Sequence, residues 1–226
     1  MPLLGSAAML LSFDVAPEAV AEHDRWHTHE HLPERLSIPG FLRGTRWTAT
    51  AGTPRYMVLY EVRHLQTLAS DAYLERLNHP TPWTQRMMPF YRGMTRGLCA
   101  VRGSFGHGQG GTAALIRCSC DEGSDAALQR WLLDDVLPHA PRTDGLGSAH
   151  LLQGAQAAAM TNEQRLRGAD QGVASAVIVT GYDADAVAAY AARLCADDGL
   201  PAHGARGVTC AVYAAGYSLA SSEMDA

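Results

Sequence analysis

The sequence predicts an α+β fold in which two copies of a β-α-β-β-α-β unit pack sheet to sheet and close into a barrel within one chain. Residues 26–41 and 131–146 match in one ungapped register displaced by 105 positions. The matched pairs are Trp26 and Trp131, Leu32 and Leu137, Pro33 and Pro138, and Gly40 and Gly145. A chain of 226 residues that is 47% apolar and 18% charged can bury such a core. The match indicates a duplication, and a repeated unit is expected to bury its apolar face against its copy.

The first unit, residues 1–103, alternates apolar strand patterns with helical spacing. The apolar run at 8–15 indicates a buried strand, and Pro17 suits the first turn of the helix that follows. We expect that helix to end near His31, because Pro33 lacks an amide donor and disfavours helical geometry at Leu32. The other expected elements are strands at 40–48, 56–62 and 98–103, helices at 65–77 and 84–91, and an irregular segment at 78–83.

The second unit, residues 112–216, repeats this order with fewer polar residues, after a glycine-rich linker at 104–111 and before a flexible tail at 217–226. Its expected elements are strands at 113–120, 150–153, 174–181 and 208–213 and helices at 124–137 and 183–196. A polar loop at 161–172 has no counterpart of equal length in the first unit. The order of elements in each unit is the ferredoxin-like arrangement.

Composition argues against several classes of function. The formal net charge of −5 argues against nucleic-acid binding, which needs a basic surface. No apolar run is long enough to span a bilayer, and the first residues lack the cationic region of a signal peptide. Five cysteines without a CxxC pair suit reduced thiols, so we expect a cytoplasmic protein.

The two copies differ in chemistry along the first helix. His27 and His31 share a helical face, whereas the matching positions are Leu132 and Val136. Apolar counterparts indicate that this face is buried, and a buried polar version of it is typical of a functional site. We therefore predict His31 as a general acid or base, with His27 or Glu34 as its orienting partner. The alternative is a solvated, histidine-rich surface.

The segment from His27 to His31 also spells the HxxEH pattern of inverted zinc peptidases. In that reading His27 and His31 would hold zinc and Glu30 would act as the base. Pro33 follows at once, and no third ligand with characteristic spacing stands downstream. We therefore assign no metal ligand and no cofactor.

Five further side chains are candidates for the wall of a substrate pocket. Arg46 and Tyr60 lie in predicted strands, and an inward-facing arginine would suit a carboxylate or enolate ligand. Asn78 and Trp83 lie in the segment between two prolines, and Arg86 follows it. The alternative for this segment is a tight connection in which the tryptophan covers the core.

The segment 26–35, followed by Ile38, Pro39, Gly40 and Phe41, resembles the dimeric α+β-barrel superfamily, and within it the EthD-like proteins. In these proteins the first helix ends in an aromatic residue, a histidine and a proline before a glycine-containing turn. The resemblance covers residues 8–103. It implies ferredoxin-like units that close into a barrel, and it matches His31 to the histidine at the helix end. The superfamily includes cofactor-free oxygenases, cyclases, dehydratases, isomerases and haem enzymes, so the fold does not select a function.

The leading hypothesis is a small-molecule enzyme that acts on an aromatic or polyketide-like compound by proton transfer or cofactor-free chemistry. The alternatives are a non-catalytic ligand-binding or structural barrel, and a protein that binds a metal or haem. A small-molecule ligand is the expected partner, with no nucleic acid and no membrane. The protein is expected to be a monomer that contains an internal pseudo-dimer, or a homodimer of such units.

Overall fold

Eight antiparallel strands form a closed barrel in the computed structural model, which describes residues 3–155 and 161–224. The strands are β1 (Ala7–Val15), β2 (Phe41–Ala49), β3 (Tyr56–Val62), β4 (Tyr91–Gly106), β5 (Thr112–Cys120), β6 (Leu146–Gly154), β7 (Ser175–Gly181) and β8 (Ala205–Ala220). The predicted α+β barrel is therefore confirmed.

Helices pack on the outer surface of this barrel. The α-helices are α1 (Val20–Trp26), α2 (Leu32–Leu36), α3 (Asp71–Asn78), α4 (Pro82–Met87), α5 (Asp125–Trp131), α6 (Asn162–Arg167) and α7 (Ala184–Cys195). Wider π-helical turns follow α1 at His27–His31 and α5 at Leu132–Val136. Short 3₁₀ turns lie at Pro17–Ala19, Leu65–Ala69, Met88–Phe90, Ala140–Arg142, Leu200–His203 and Ser221–Glu223.

The strand order around the barrel is β1-β3-β2-β8-β5-β7-β6-β4. The first four strands therefore lie in the order β4-β1-β3-β2, and the last four lie in the matching order β8-β5-β7-β6. The two groups meet edge to edge at the β2–β8 and β4–β6 pairs. Closure in this way leaves no unpaired sheet edge.

Successive side chains along a strand point alternately into the barrel and toward the helices outside it, so the protein has apolar clusters on both sides of the sheet. On β1, Leu10 belongs to the apolar cluster inside the barrel, to which both groups of strands contribute. Its neighbours Met9 and Leu11 point the other way, into a cluster under the helices that follow the first strands. A third cluster lies under the helices of the second group. The histidine-bearing helix therefore packs against the outer face of the sheet.

The first helical segment runs through Pro33, so the predicted helix end at His31 is wrong. The π-helical turn changes the hydrogen bonding there: the amide of Leu32 donates to the carbonyl of His27, five residues back. Pro33 then lies in the first turn of α2, where a missing amide donor costs little. The helical path consequently continues to Leu36.

Strand lengths correct the predicted linker and tail. β4 extends to Gly106 because it pairs with β6, with Phe105 opposite Ala149, so the linker at 104–111 begins inside a strand. β8 extends to Ala220 because it pairs with β2, so residues 217–220 are not a loose tail. The last two residues of the predicted tail lie outside the described part of the chain.

The polar loop predicted at 161–172 contains the short helix α6. The Thr161 side chain accepts a hydrogen bond from the Gln164 amide, and the Gln164 side chain accepts one from the Thr161 amide. This reciprocal capping box stabilises a helix start. Backbone hydrogen bonds join the same loop to β4: the Gln171 carbonyl accepts from the Arg96 amide, and the Gln171 amide donates to the Met94 carbonyl.

Within the described ranges, no helix combines the length and apolar character that a membrane span requires.

Candidate active site

Three buried histidines follow one another on the inner face of the first helical segment. His23, His27 and His31 recur at every fourth position, and none is more than 7% exposed. The ring centroids of each successive pair are 5.5 Å apart. The four-residue spacing places the rings in a row against the outer face of the sheet.

Tyrosines from the sheet contact the first two imidazoles. The Nε2 atom of His23 lies 3.3 Å from the hydroxyl of Tyr91, and the Nε2 atom of His27 lies 3.3 Å from the hydroxyl of Tyr60. The other ring nitrogen of His23 lies 3.3 Å from an oxygen of Asp24. Buried imidazoles with such partners are held in a fixed orientation.

His31, like His27, has a ring nitrogen without a hydrogen-bond partner among the described residues. Its ring lies against Trp26, with 4.4 Å between the ring centroids. Its Nδ1 atom is buried and unpartnered among the described residues, and so is Oε1 of Glu34. The other carboxylate oxygen of Glu34 lies 3.9 Å from that Nδ1 atom. His31 therefore combines an available proton acceptor with a nearby carboxylate.

His31 lines a small cavity between the sheet and the helices. The cavity encloses about 20 Å³, which is room for about one water molecule. Its apolar wall consists of Met9, Leu11, Leu77, Met88 and Met94. Its polar wall consists of His31, Arg35, Tyr60, Tyr73, Tyr91, Arg96, Thr161, Glu163, Gln164 and Arg167. The last four residues belong to α6 or its cap, so this helix closes the cavity from one side.

Burial controls the protonation of the site. Burial, together with the charge of Arg35, holds the pKa of His31 well below its usual 6.5, and burial does the same for His27. Burial raises the pKa of Tyr60 and the pKa of Glu34. At neutral pH the imidazoles are therefore neutral and able to accept a proton.

We expect the free energy of unfolding to fall as the pH drops below about 6.5. The buried histidines stay neutral in the folded protein but take up protons after unfolding, so acid favours the unfolded state. His31 is one such group, because burial lowers its pKa. His150 is another, and burial lowers its pKa to about 3. Each histidine that stays neutral when folded lowers stability by about 2 kcal/mol at pH 5. Urea unfolding between pH 8 and pH 5 measures this dependence.

Burial also raises the pKa values of Glu34 and Glu61, and through these groups acid stabilises the folded protein. Two variants therefore separate the contribution of the histidines from that of the carboxyl groups. His150→Asn should reduce the slope of stability against pH by up to about 1.4 kcal/mol per pH unit. His29→Gln changes an exposed histidine and should leave the slope unaltered. A slope that is the same in wild type and His150→Asn would contradict the expectation.

The structure brings together only part of the predicted site. His31 and Tyr60 line the cavity, and His27 contacts the hydroxyl of Tyr60. Glu34 lies beside His31. Arg46 is buried away from the cavity, where its guanidinium donates to the Asp24 carbonyl (3.2 Å) and to the Thr28 hydroxyl (3.1 Å).

The three residues around the proline-rich segment do not line the cavity, which corrects their prediction as pocket wall. Asn78 ends α3 and accepts hydrogen bonds from Asn162, one of them at 2.7 Å from the side chain to the Asn78 carbonyl. Trp83 is half-buried on α4, and its indole donates to Glu22. Arg86 is exposed. Residues 82–87, predicted in part as an irregular segment, form a helix capped by Thr81.

Sequence reasoning missed most of the charged residues in the cavity. Arg35 continues the four-residue spacing of the histidines, and this signal was hidden by the predicted helix end at Pro33. Glu163 and Arg167 are one helical turn apart within the loop that has no counterpart of equal length. Tyr91 and Arg96 belong to the part of β4 that precedes the predicted strand.

With α6 in place, the cavity fits neither a haem nor a metal centre. Its volume of about 20 Å³ is far below that of a tetrapyrrole. Among the residues that the structure describes, no group of three or more histidine, cysteine, aspartate or glutamate side chains is arranged to hold a metal ion. The zinc-peptidase pattern also fails, because the Glu30 carboxylate accepts hydrogen bonds from the Trp26 indole and the Thr81 hydroxyl.

No family model and no curated protein matches the sequence. Solved structures do match its fold. An anthrone oxidase-like protein is 14% identical with a TM-score of 0.67, over 99% of this chain and 97% of that one. A proposed monooxygenase from Fusobacterium nucleatum is 8% identical with a TM-score of 0.62, over 96% of each chain. Chlorite dismutase from Candidatus Nitrospira defluvii is 10% identical with a TM-score of 0.58, over 96% of this chain and 92% of that one. At these identities the likeness shows a shared ferredoxin-like α+β-barrel fold and nothing finer.

Proposed function

We propose that this protein is a small-molecule enzyme that removes a proton from an aromatic or polyketide-like compound without a bound cofactor. One observation carries the proposal: a buried, neutral imidazole with a free nitrogen faces a cavity that also contains a buried arginine. His31 supplies the base, and Arg35 supplies the positive charge. A base that is neutral at the working pH can accept a proton directly.

The charges around His31 suit the removal of a proton next to a carbonyl group or from a phenol. Negative charge then develops on a substrate oxygen, and a guanidinium in a site shielded from water stabilises it strongly. The imidazolium that forms is stabilised by Glu34, whose carboxylate lies 3.9 Å from the ring nitrogen. Tyr60 and His27 position the surrounding wall through their mutual contact.

We also propose that the protein is EthD-like and that its two halves arose by duplication. The recurrence of element bounds supports the duplication, because β1, α1, the first π-helical turn and β2 each recur 105 positions later as β5, α5, the second π-helical turn and β6. In the second copy Leu132 and Val136 replace His27 and His31. We infer that the first copy carries the chemistry and that the second supports it.

Hydrogen–deuterium exchange at carbon tests this proposal. Wild-type protein is incubated in D₂O, without oxygen, with a panel of hydroxylated aromatic ketones, and the loss of acidic C–H signals is followed by NMR. We expect protein-dependent exchange with at least one compound. The names of the structural neighbours make oxidation the next step to test, so oxygen uptake is then measured with the same compounds in air.

The rival is a ligand-binding or structural barrel without catalysis. Compounds that bind, as shown by calorimetry, but undergo neither exchange nor oxygen uptake would favour that rival and contradict the proposed activity.

A further inference from the structure

The charged residues of the cavity are balanced only while α6 stays in place. Arg35 is 1% exposed and forms ion pairs with Glu34, its neighbour in the chain, and with Glu163, 128 residues away on α6. Arg167 lies 3.7 Å from the second carboxylate oxygen of Glu163 and also pairs with Asp170 at 2.8 Å. Without Glu163, the buried guanidinium of Arg35 would lose one of its two carboxylates. A buried charge that loses a partner is costly, so another anion would be favoured there.

The cavity wall indicates what kind of anion fits. Three arginines and one glutamate line the cavity, namely Arg35, Arg96, Arg167 and Glu163. The remaining lining consists mainly of methionines, leucines and tyrosines. Methionine side chains adapt to the shape of a bound group, and tyrosines pack favourably against aromatic rings. This combination suits an aromatic ring that carries one negative group.

Polar contacts hold α6 against the neighbouring helices α2 and α3, and the backbone bonds of its loop to β4 lie at Gln171, after the helix ends. Asn162 binds Asn78, and Glu163 binds Arg35. Leu166, the large apolar residue of this helix, is 42% exposed. Little apolar area is therefore lost when the helix moves outward, and a ligand carboxylate can form the same ion pair with Arg35 that Glu163 now forms.

We propose that the substrate is an aromatic monoanion and that Arg35 binds its carboxylate or phenolate group, in the position that the carboxylate of Glu163 occupies in this structure. This inference rests on the proposed function, whose substrate class it narrows. Glu163 is then a built-in competitor, and its displacement with α6 opens a cavity that otherwise admits about one water molecule.

Calorimetric titration with benzoate tests the proposal, and benzamide serves as the neutral probe of the same shape. Glu163→Gln should bind benzoate at least 10-fold more tightly than wild type, because the internal carboxylate no longer competes. Benzamide should show no such gain, and Glu18→Gln, an exposed control, should bind benzoate as wild type does. Arg35→Gln should abolish benzoate binding. No benzoate binding by folded Glu163→Gln, an affinity equal to that of wild type, or an equal gain for benzamide would overturn the proposal.

Hydrogen exchange of the wild-type protein gives a second readout that needs no variant. Saturating benzoate should accelerate amide exchange in α6 (Asn162–Arg167) and leave α7 (Ala184–Cys195) unchanged. Unchanged exchange in α6 would overturn the displacement. Benzoate binding requires no proton transfer. Benzoate binding that depends on Arg35, found together with no carbon-bound exchange for any compound, would therefore refute the proposed function and leave this inference intact.

Discussion

Replacing Trp26 with alanine is expected to lower the free energy of unfolding by about 3–5 kcal/mol. Trp26 is completely buried, and its ring lies 4.4 Å from that of His31 and 5.8 Å from that of His23. Its indole also donates to Glu30 at 3.2 Å. Alanine would leave a large cavity beside the histidines and would remove one of the two hydrogen bonds that Glu30 accepts. Urea unfolding followed by circular dichroism measures the change.

The chain offers a matched control at the equivalent position of the other copy. Trp131 is only half-buried, and one face of its ring is stacked on His203 with 3.7 Å between centroids. Trp131→Ala should therefore cost less than Trp26→Ala, about 1–2 kcal/mol. Equal losses for the two variants would show that burial beneath the first helix contributes nothing special to stability.

The contrast between these two tryptophans shows what the sequence reveals and what it conceals. The matched residues around Trp26 and Trp131 predict the barrel, because strands and helices follow from hydrophobic periodicity and from the prolines and glycines at their ends. Leu132 and Val136 of the second copy correspond to His27 and His31 of the first. This difference predicts a buried polar face, and both histidines are buried. These signals are local in the chain.

The remaining parts of the site depend on features that local patterns do not carry. Arg35 is missed because a proline normally ends a helix, whereas the π-helical turn before Pro33 removes the need for its amide donor. The pairing of Arg35 with Glu163 joins residues 128 positions apart, which no periodicity encodes. Trp83 and Arg86 are predicted as pocket wall from their place in or after the proline-rich segment, but they lie on a helix capped by Thr81 and do not line the cavity.

Replacing His31 with glutamine is expected to lower the rate of proton transfer by about 10²–10⁴-fold, the usual contribution of a general base. Glutamine has a similar length and can occupy the same place next to Trp26, but its amide cannot accept a proton at neutral pH. The fold should persist, since the unpartnered nitrogen of His31 contributes no hydrogen bond that the variant would lose. Carbon-bound deuterium exchange measures the rate, and circular dichroism reports the fold.

Two neighbouring variants decide whether the loss belongs to His31 itself. His29→Gln changes an exposed imidazole on the same π-helical turn and should retain the wild-type rate. His27→Gln should have an intermediate effect, because His27 does not line the cavity but contacts Tyr60 and His31, which do. The dependence of the rate on pH adds a signature that altered packing cannot mimic: a neutral base with a low pKa keeps its activity well below pH 6.5. A folded His31→Gln protein that retains the wild-type rate would remove His31 from the chemistry and leave the cavity as a binding site alone.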